Sequence, residues 1–204
     1  MTRKQNQHIK EYSAASKVFE NAIEAIRDID YVITDKSFFK AVRYLATHRV
    51  FSSGVGKAGL IGQKLASTLA SNGRPASFIH ASEALHGDFG MMQAGDVLVA
   101  FSNSGKTDDV IKVADKAKSI GMKLILVTGE RDSEIAKRAN VVLCYGWVEE
   151  ACSLKLTPTT SIVVMLVIAD ALAMAVQARV GLTYKKYAIN HHAGYLGQIA
   201  RLKS

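Results

Sequence analysis

The chain has 204 residues, 49% of them hydrophobic, with two prolines and a formal net charge of +8. That length suits one α/β domain of roughly 100–200 residues, and the apolar fraction excludes a disordered chain, whose mark is low hydrophobicity under high net charge. Two cysteines, Cys144 and Cys152, exclude a disulfide framework or a four-cysteine zinc site and are expected as reduced thiols in the cytoplasm.

The first segment, MTRKQNQHIK, has no apolar core of the signal-peptide kind, so no export is expected. Apolar residues at helical spacing (Ile9, Tyr12, Ala15, Val18, Phe19, Ala22, Ile23, Ile26) predict an amphipathic helix over about 1–30, of the kind that packs on a partner subunit. A second helix is expected over about 36–48. From Arg49 the pattern changes to short runs rich in β-branched residues: RVFSSG, PASFIH, DVLVAFS, MKLILVT and NVVLCY. Helix-length stretches lie between most of them, such as KAGLIGQKLASTLASNG with Gly73 at its C-terminal stop and TDDVIKVADKAKSIG ending at Gly121. Strands separated by helices predict a parallel sheet covered on both faces, with ligands beyond the strands' carboxyl ends.

Two strand-to-helix loops are suited to anions. In SSGVGKAG, residues 52–59, Gly54 and Gly56 allow close backbone approach, the next helix offers unpaired amides, and Lys57 adds a full charge. A tight turn that needs glycine explains the same pattern, and the Walker spacing is absent. In SNSGKTDDV, residues 102–110, Ser102, Ser104 and Thr107 supply hydroxyls around Gly105, more than a helix cap requires. The later run SIVVMLVIADALAMAVQARV carries Asp170 and Gln177 and is read as a buried core or interface helix, not a membrane span, with TPTTS (157–161) as its cap. Residues 179–204 hold Arg179, Lys185, Lys186, Arg201 and Lys203 without an acid. No nucleic-acid-binding motif accompanies them, so the field is expected to attract small phosphates, with no nucleic acid partner.

Taken in order and spacing, SGVGKAG, HASEALHGDFGMM, FSNSGKTDDV, EEACSLKLTPTTS and AINHHAGYLG resemble arabinose 5-phosphate isomerases of the SIS (sugar isomerase) family, over roughly residues 15–200. The resemblance is to the short form, without appended CBS domains. It implies an α/β fold: a three-layer αβα sandwich on a five-stranded parallel sheet, with an N-terminal helical extension. The expected organisation is one domain over 1–204, with helices in 1–48, the core in 49–180 and a C-terminal active-site segment in 181–204. It further implies a sugar phosphate as ligand, a homo-oligomer (tetramer, or dimer) with shared active sites, and no cofactor or metal.

The resemblance assigns the phosphate to the loop that holds Ser102, Asn103, Ser104, Gly105 and Thr107 and places His86 near the site; Ser53, Gly54 and Gly56 of the first loop, with Glu83 and His192, are expected as further substrate contacts from the chemistry of the residues themselves. Catalytic roles fall on Lys57, Asp109, Glu150 and His191. The sequence departs from the family pattern at Lys106, at Asp109 where glutamate is usual, and at His192. Aldose–ketose isomerisation needs a base beside the carbonyl, a donor for the enediol oxygen and a group that opens the sugar ring. Glu150 is expected as the base, its pKa open to elevation in a closed pocket. His191 suits ring opening because imidazole exchanges protons near neutrality. Lys57 would steady developing negative charge, with Asp109 orienting it or the sugar. The other reading is a non-catalytic module of the same fold that senses a sugar phosphate.

Overall fold

The computed structural model describes residues 3–204. Three helices lead, α1 (Arg3–Asp28), α2 (Tyr31–Thr34) and α3 (Lys36–Thr47). The core follows as β1 (Val50–Gly54), α4 (Gly56–Ser71), β2 (Ala76–His80), α5 (Ala81–Ala84), β3 (Val97–Phe101), α6 (Asp108–Ile120), β4 (Lys123–Thr128), β5 (Val141–Cys144) and α7 (Thr160–Val180). Two short helices, α8 (Tyr184–Asn190) and α9 (Tyr195–Leu202), form the tail.

All five expected strands form, in the order β2-β1-β3-β4-β5, and every neighbouring pair is parallel. Strand alternation supplies two cores. Val97, Val99, Phe101, Ile125 and Val127 face α3, α4 and α7, whereas Leu98, Ala100, Leu124 and Leu126 face the side that carries α5 and α6. The result is the expected three-layer αβα sandwich, and α7 is its most buried helix: Val164, Met165, Ile168, Ala169, Leu172, Ala173 and Val176 are all buried. Helix α7 is long and apolar enough to cross a membrane, and here one face of it is buried against α1, α3 and α4, as in a core helix.

Helix stops follow the glycine signals. Gly73 and Gly121 both take positive φ, and each ends its helix with a pair of closing bonds, Arg74 N–H to Leu69 O with Gly73 N–H to Ala70 O, and Met122 N–H to Ala117 O with Gly121 N–H to Lys118 O. Helix α1 packs against α7 through its C-terminal half, where Ala25 is buried and buried Asn21 donates to Glu149 O at 3.0 Å. The rest of its apolar stripe faces outward, with Tyr12 76% and Phe19 70% exposed. Residues 1 and 2 of the expected helix lie outside the described residues.

Candidate active site

The strand order reverses between β1 and β3, the switch point where doubly wound sheets hold ligands. The loops leaving these two strands meet there. Val55, Lys57 and Ala58 from the first, and Ser102, Asn103, Ser104 and Thr107 from the second, line one cleft of about 300 Å³. Phe101 at the end of β3, Pro158 just before α7, and Ser161, Ile162 and Met165 of α7 complete its lining. The N-termini of α4 and α6, with Val55 and Thr107 as their N-cap residues, therefore open at a cleft that also carries the Lys57 ammonium, an arrangement that favours an anion.

Local geometry explains the glycines. A β-carbon on Gly59 would meet Gly54 O at 2.8 Å, and one on Gly54 would meet Gly59 N at 3.0 Å, so this pair lets α4 start directly against the end of β1. Gly105 is doubly constrained. Its φ is +59°, and a β-carbon there would lie 2.1 Å from Ser133 Oγ. Gly105→Ala is accordingly expected to lower stability by at least about 2 kcal/mol, read as a fall in the denaturation midpoint. Should the midpoint stay unchanged, the loop is not pressed against Ser133 as described.

Within the second loop the hydroxyls are oriented by backbone amides. Gly105 N–H donates to Ser102 Oγ at 3.1 Å and Lys106 N–H to Ser104 Oγ at 3.3 Å, so both hydroxyls keep a hydrogen to donate elsewhere. Ser102 Oγ and Thr107 Oγ1 are 3.3 Å apart. Asn103 is held twice: its carbonyl accepts from Thr128 Oγ1 and Gly129 N–H, and its Oδ1 accepts from Tyr145 O–H.

Other expected site residues sit differently. Ser53 is fully buried and donates its hydroxyl to Ile79 O at 2.8 Å, so the side chain holds β1 to β2. Asp109, on the first turn of α6, accepts from Ser82 Oγ at 2.6 Å and lies 3.7 Å from Lys112, turned toward α5 and not lining the cleft. Glu83 and His86, on α5 and the turn after it, are exposed and do not border the cleft. Among the described residues no three His, Cys, Asp or Glu side chains group as metal ligands.

Glu150 is the most informative case. It is 8% exposed, and its carboxylate caps α7. Oε2 accepts from Thr159 N–H at 2.6 Å and Thr159 Oγ1 at 3.0 Å, while Oε1 accepts from Ser161 Oγ. A negative group at a helix N-terminus is electrostatically favoured there. Glu150 thus sits one residue behind the cleft wall, since Ser161 lines the cleft. Beside it Cys152 accepts amide hydrogens from Leu156 and Thr157, and hydrogen bonding from Thr157 lowers its thiol pKa to about 7.

His191 and His192 are remote from this cleft within one chain. Helices α4 and α7 both begin at the cleft, and Asn190 donates to Ser71 O, at the far end of α4, at 3.2 Å. The length of α4 puts His191 on the order of 20 Å away. Its ring stacks on Tyr187 at 3.8 Å between centroids, and His192 is exposed.

From sequence the TPTTS run reads only as a helix cap, with no place in the site for Ser161, Ile162 and Met165. No local spacing marks them, because their partners in the cleft come from loops far earlier in the chain. The one available signal is the proximity of this run to Glu150.

A doubly wound parallel sheet with paired glycine-bearing loops at its switch point defines the α/β class that binds ligands at the strands' carboxyl ends. Within that class the chain belongs to the SIS domain family, whose model matches residues 44–175. It is 44% identical over 155 residues to an arabinose 5-phosphate isomerase, KdsD, of Pseudomonas aeruginosa, a match covering 76% of this chain and 48% of that protein. The chain thus spans about half the length of the curated relatives it matches. A Bacteroides fragilis structure, assigned as a phosphosugar isomerase involved in capsule formation, superposes with a TM-score of 0.82 at 35% identity, covering 94% of this chain and 99% of that one. An Escherichia coli CFT073 protein solved in complex with arabinose 5-phosphate gives a TM-score of 0.80 at 31% identity, covering 94% and 100%.

Proposed function

We propose that this chain interconverts an aldose phosphate and its ketose phosphate through an enediol, of the arabinose 5-phosphate and ribulose 5-phosphate type, as a cytoplasmic homo-oligomer. The observation that carries the reading is the convergence of Lys57 with Ser102, Asn103, Ser104 and Thr107 on one cleft. The names of the Pseudomonas relative and of the ligand in the E. coli complex support the sugar class.

In this reading the hydroxyls and amides of the second loop take the phosphate. Lys57 faces the sugar's reacting end and steadies the enediolate oxygen, charge set where charge develops. Glu150 is the proton-transferring base, leaving its cap or acting through the adjacent α7 turn, and Asp109 orients groups from the rim. His191 opens the ring, and its distance from the cleft in its own chain makes it the contribution of a second copy, so the sites are shared in a tetramer or dimer. His192 and the exposed Glu83 and His86 face sugar hydroxyls in that assembly.

A second reading, a sensor that binds without turnover, draws on the same geometry: in one chain Glu150 is fully engaged as a cap and His191 is remote. Incubation with a panel of pentose and hexose phosphates in D₂O, followed by NMR, separates the two. Isomerisation predicts ketose formation with deuterium at carbon 1 of the ketose and, through the reverse reaction, at carbon 2 of the aldose. Tight binding without exchange for every sugar phosphate would leave the sensor.

A further inference from the structure

We infer that Tyr145 is a positioning residue for the phosphate loop, holding the Asn103 carboxamide so that its NH₂ group, and not its oxygen, faces the cleft. The inference rests on the second loop being the phosphate site. Tyr145 follows β5, is 3% exposed, and donates its phenolic hydrogen to Asn103 Oδ1 at 2.5 Å across 42 positions of sequence. Asn103 lines the cleft and is exposed there.

A carboxamide has two chemically opposite ends, two donors on nitrogen and an acceptor on oxygen. A serine hydroxyl adjusts to an anion by rotating its hydrogen. Asparagine has no such freedom, because a half-turn about its last bond exchanges a donor for a lone pair that repels phosphate oxygen. The loop backbone already fixes where this side chain starts, since Asn103 O is held by Thr128 Oγ1 at 3.1 Å and by Gly129 N–H at 3.0 Å. One torsional choice is left, and the buried phenol makes it. A phenol has one hydrogen to give, and giving it to Oδ1 leaves both Nδ2 hydrogens without a protein partner among the described residues. Burial, followed by the nearby Glu150 charge, raises the Tyr145 pKa, so the group stays protonated and remains a donor.

The test uses inorganic phosphate as a competitive inhibitor beside the sugar phosphate itself. For Tyr145→Phe, KM for the sugar phosphate and Ki for phosphate are both expected to rise about tenfold, with kcat within about threefold, the scale of one lost hydrogen bond to a charged ligand. Adding Tyr145→Phe to Asn103→Ala should cost less than about twofold more, because the phenol acts through the amide. Asn103→Asp, which keeps an acceptor for the phenol but has no donor for the anion, should lose phosphate inhibition outright and serves even if Tyr145→Phe folds poorly. Unchanged Ki in Tyr145→Phe overturns the inference, as do losses that multiply in the double variant or retained inhibition in Asn103→Asp. A parent protein that phosphate does not inhibit, and whose KM is equal for phosphorylated and plain sugars, overturns the phosphate-loop reading together with it.

Discussion

Replacing Glu150 by glutamine is expected to lower kcat at least about a hundredfold, the contribution of a positioned acid–base group, with sugar-phosphate affinity held within a few fold. The prediction is sharp because Glu150 has a competing structural role. Its carboxylate receives Thr159 N–H, Thr159 Oγ1–H and Ser161 Oγ–H at the first turn of α7. Glutamine retains one oxygen of the two and turns a donor toward Ser161, whose hydroxyl can reverse to accept. The cap therefore weakens without vanishing, a loss of about 1 kcal/mol. A residue that is only a cap would show this fall in stability and near-normal turnover at temperatures where both proteins are fully folded. A residue that moves protons loses turnover at every such temperature. Rates measured well below the unfolding transition, paired with calorimetry, distinguish them, and a near-normal rate would remove Glu150 from the mechanism.

The second large effect concerns His191. His191→Ala is expected to abolish most turnover, and so is Glu150→Gln, yet oligomers assembled from equal amounts of the two variants should recover activity. The reason is distance: within one chain His191 lies beside the far end of α4, roughly the helix's whole length from Lys57. If each site takes its glutamate from one chain and its histidine from another, random mixing gives about a quarter of sites both intact groups. Recovery of about that size, in oligomers verified as mixed by mass spectrometry, supports shared sites. No recovery in such oligomers would show that the histidine serves its own chain or no site. The exposed apolar stripe of α1, with Tyr12 and Phe19, is the surface whose burial should accompany that assembly.

Much of this protein is written in short stretches of sequence. The five strands stand where the short apolar runs predict them; the central strands β1, β3 and β4 are buried on both faces and so need nearly continuous runs, whereas β2 lies at the sheet edge and is only partly buried. Gly73 and Gly121 end their helices at positive φ, where a side chain would be strained. The phosphate-loop candidates and Lys57 follow from the same local grammar: a glycine-bearing turn between a strand and a helix can lie only at the strands' carboxyl end.

What each polar side chain does there is a different matter, decided by neighbours far away in sequence. Ser53 is spent on Ile79 O, Asp109 on Ser82, and Asn103 on Tyr145. Glu150 caps α7, and the wall formed by Ser161 and Met165 meets Lys57 across about a hundred residues. His191, adjacent in motif to everything else in the family pattern, lies at the opposite end of its own chain. Periodicity and turn chemistry act over a few residues, so the sequence alone determines elements and their order. A hydrogen bond is satisfied by whatever packing brings within about 3 Å, so only the tertiary structure decides which group faces the cleft and which is held behind it.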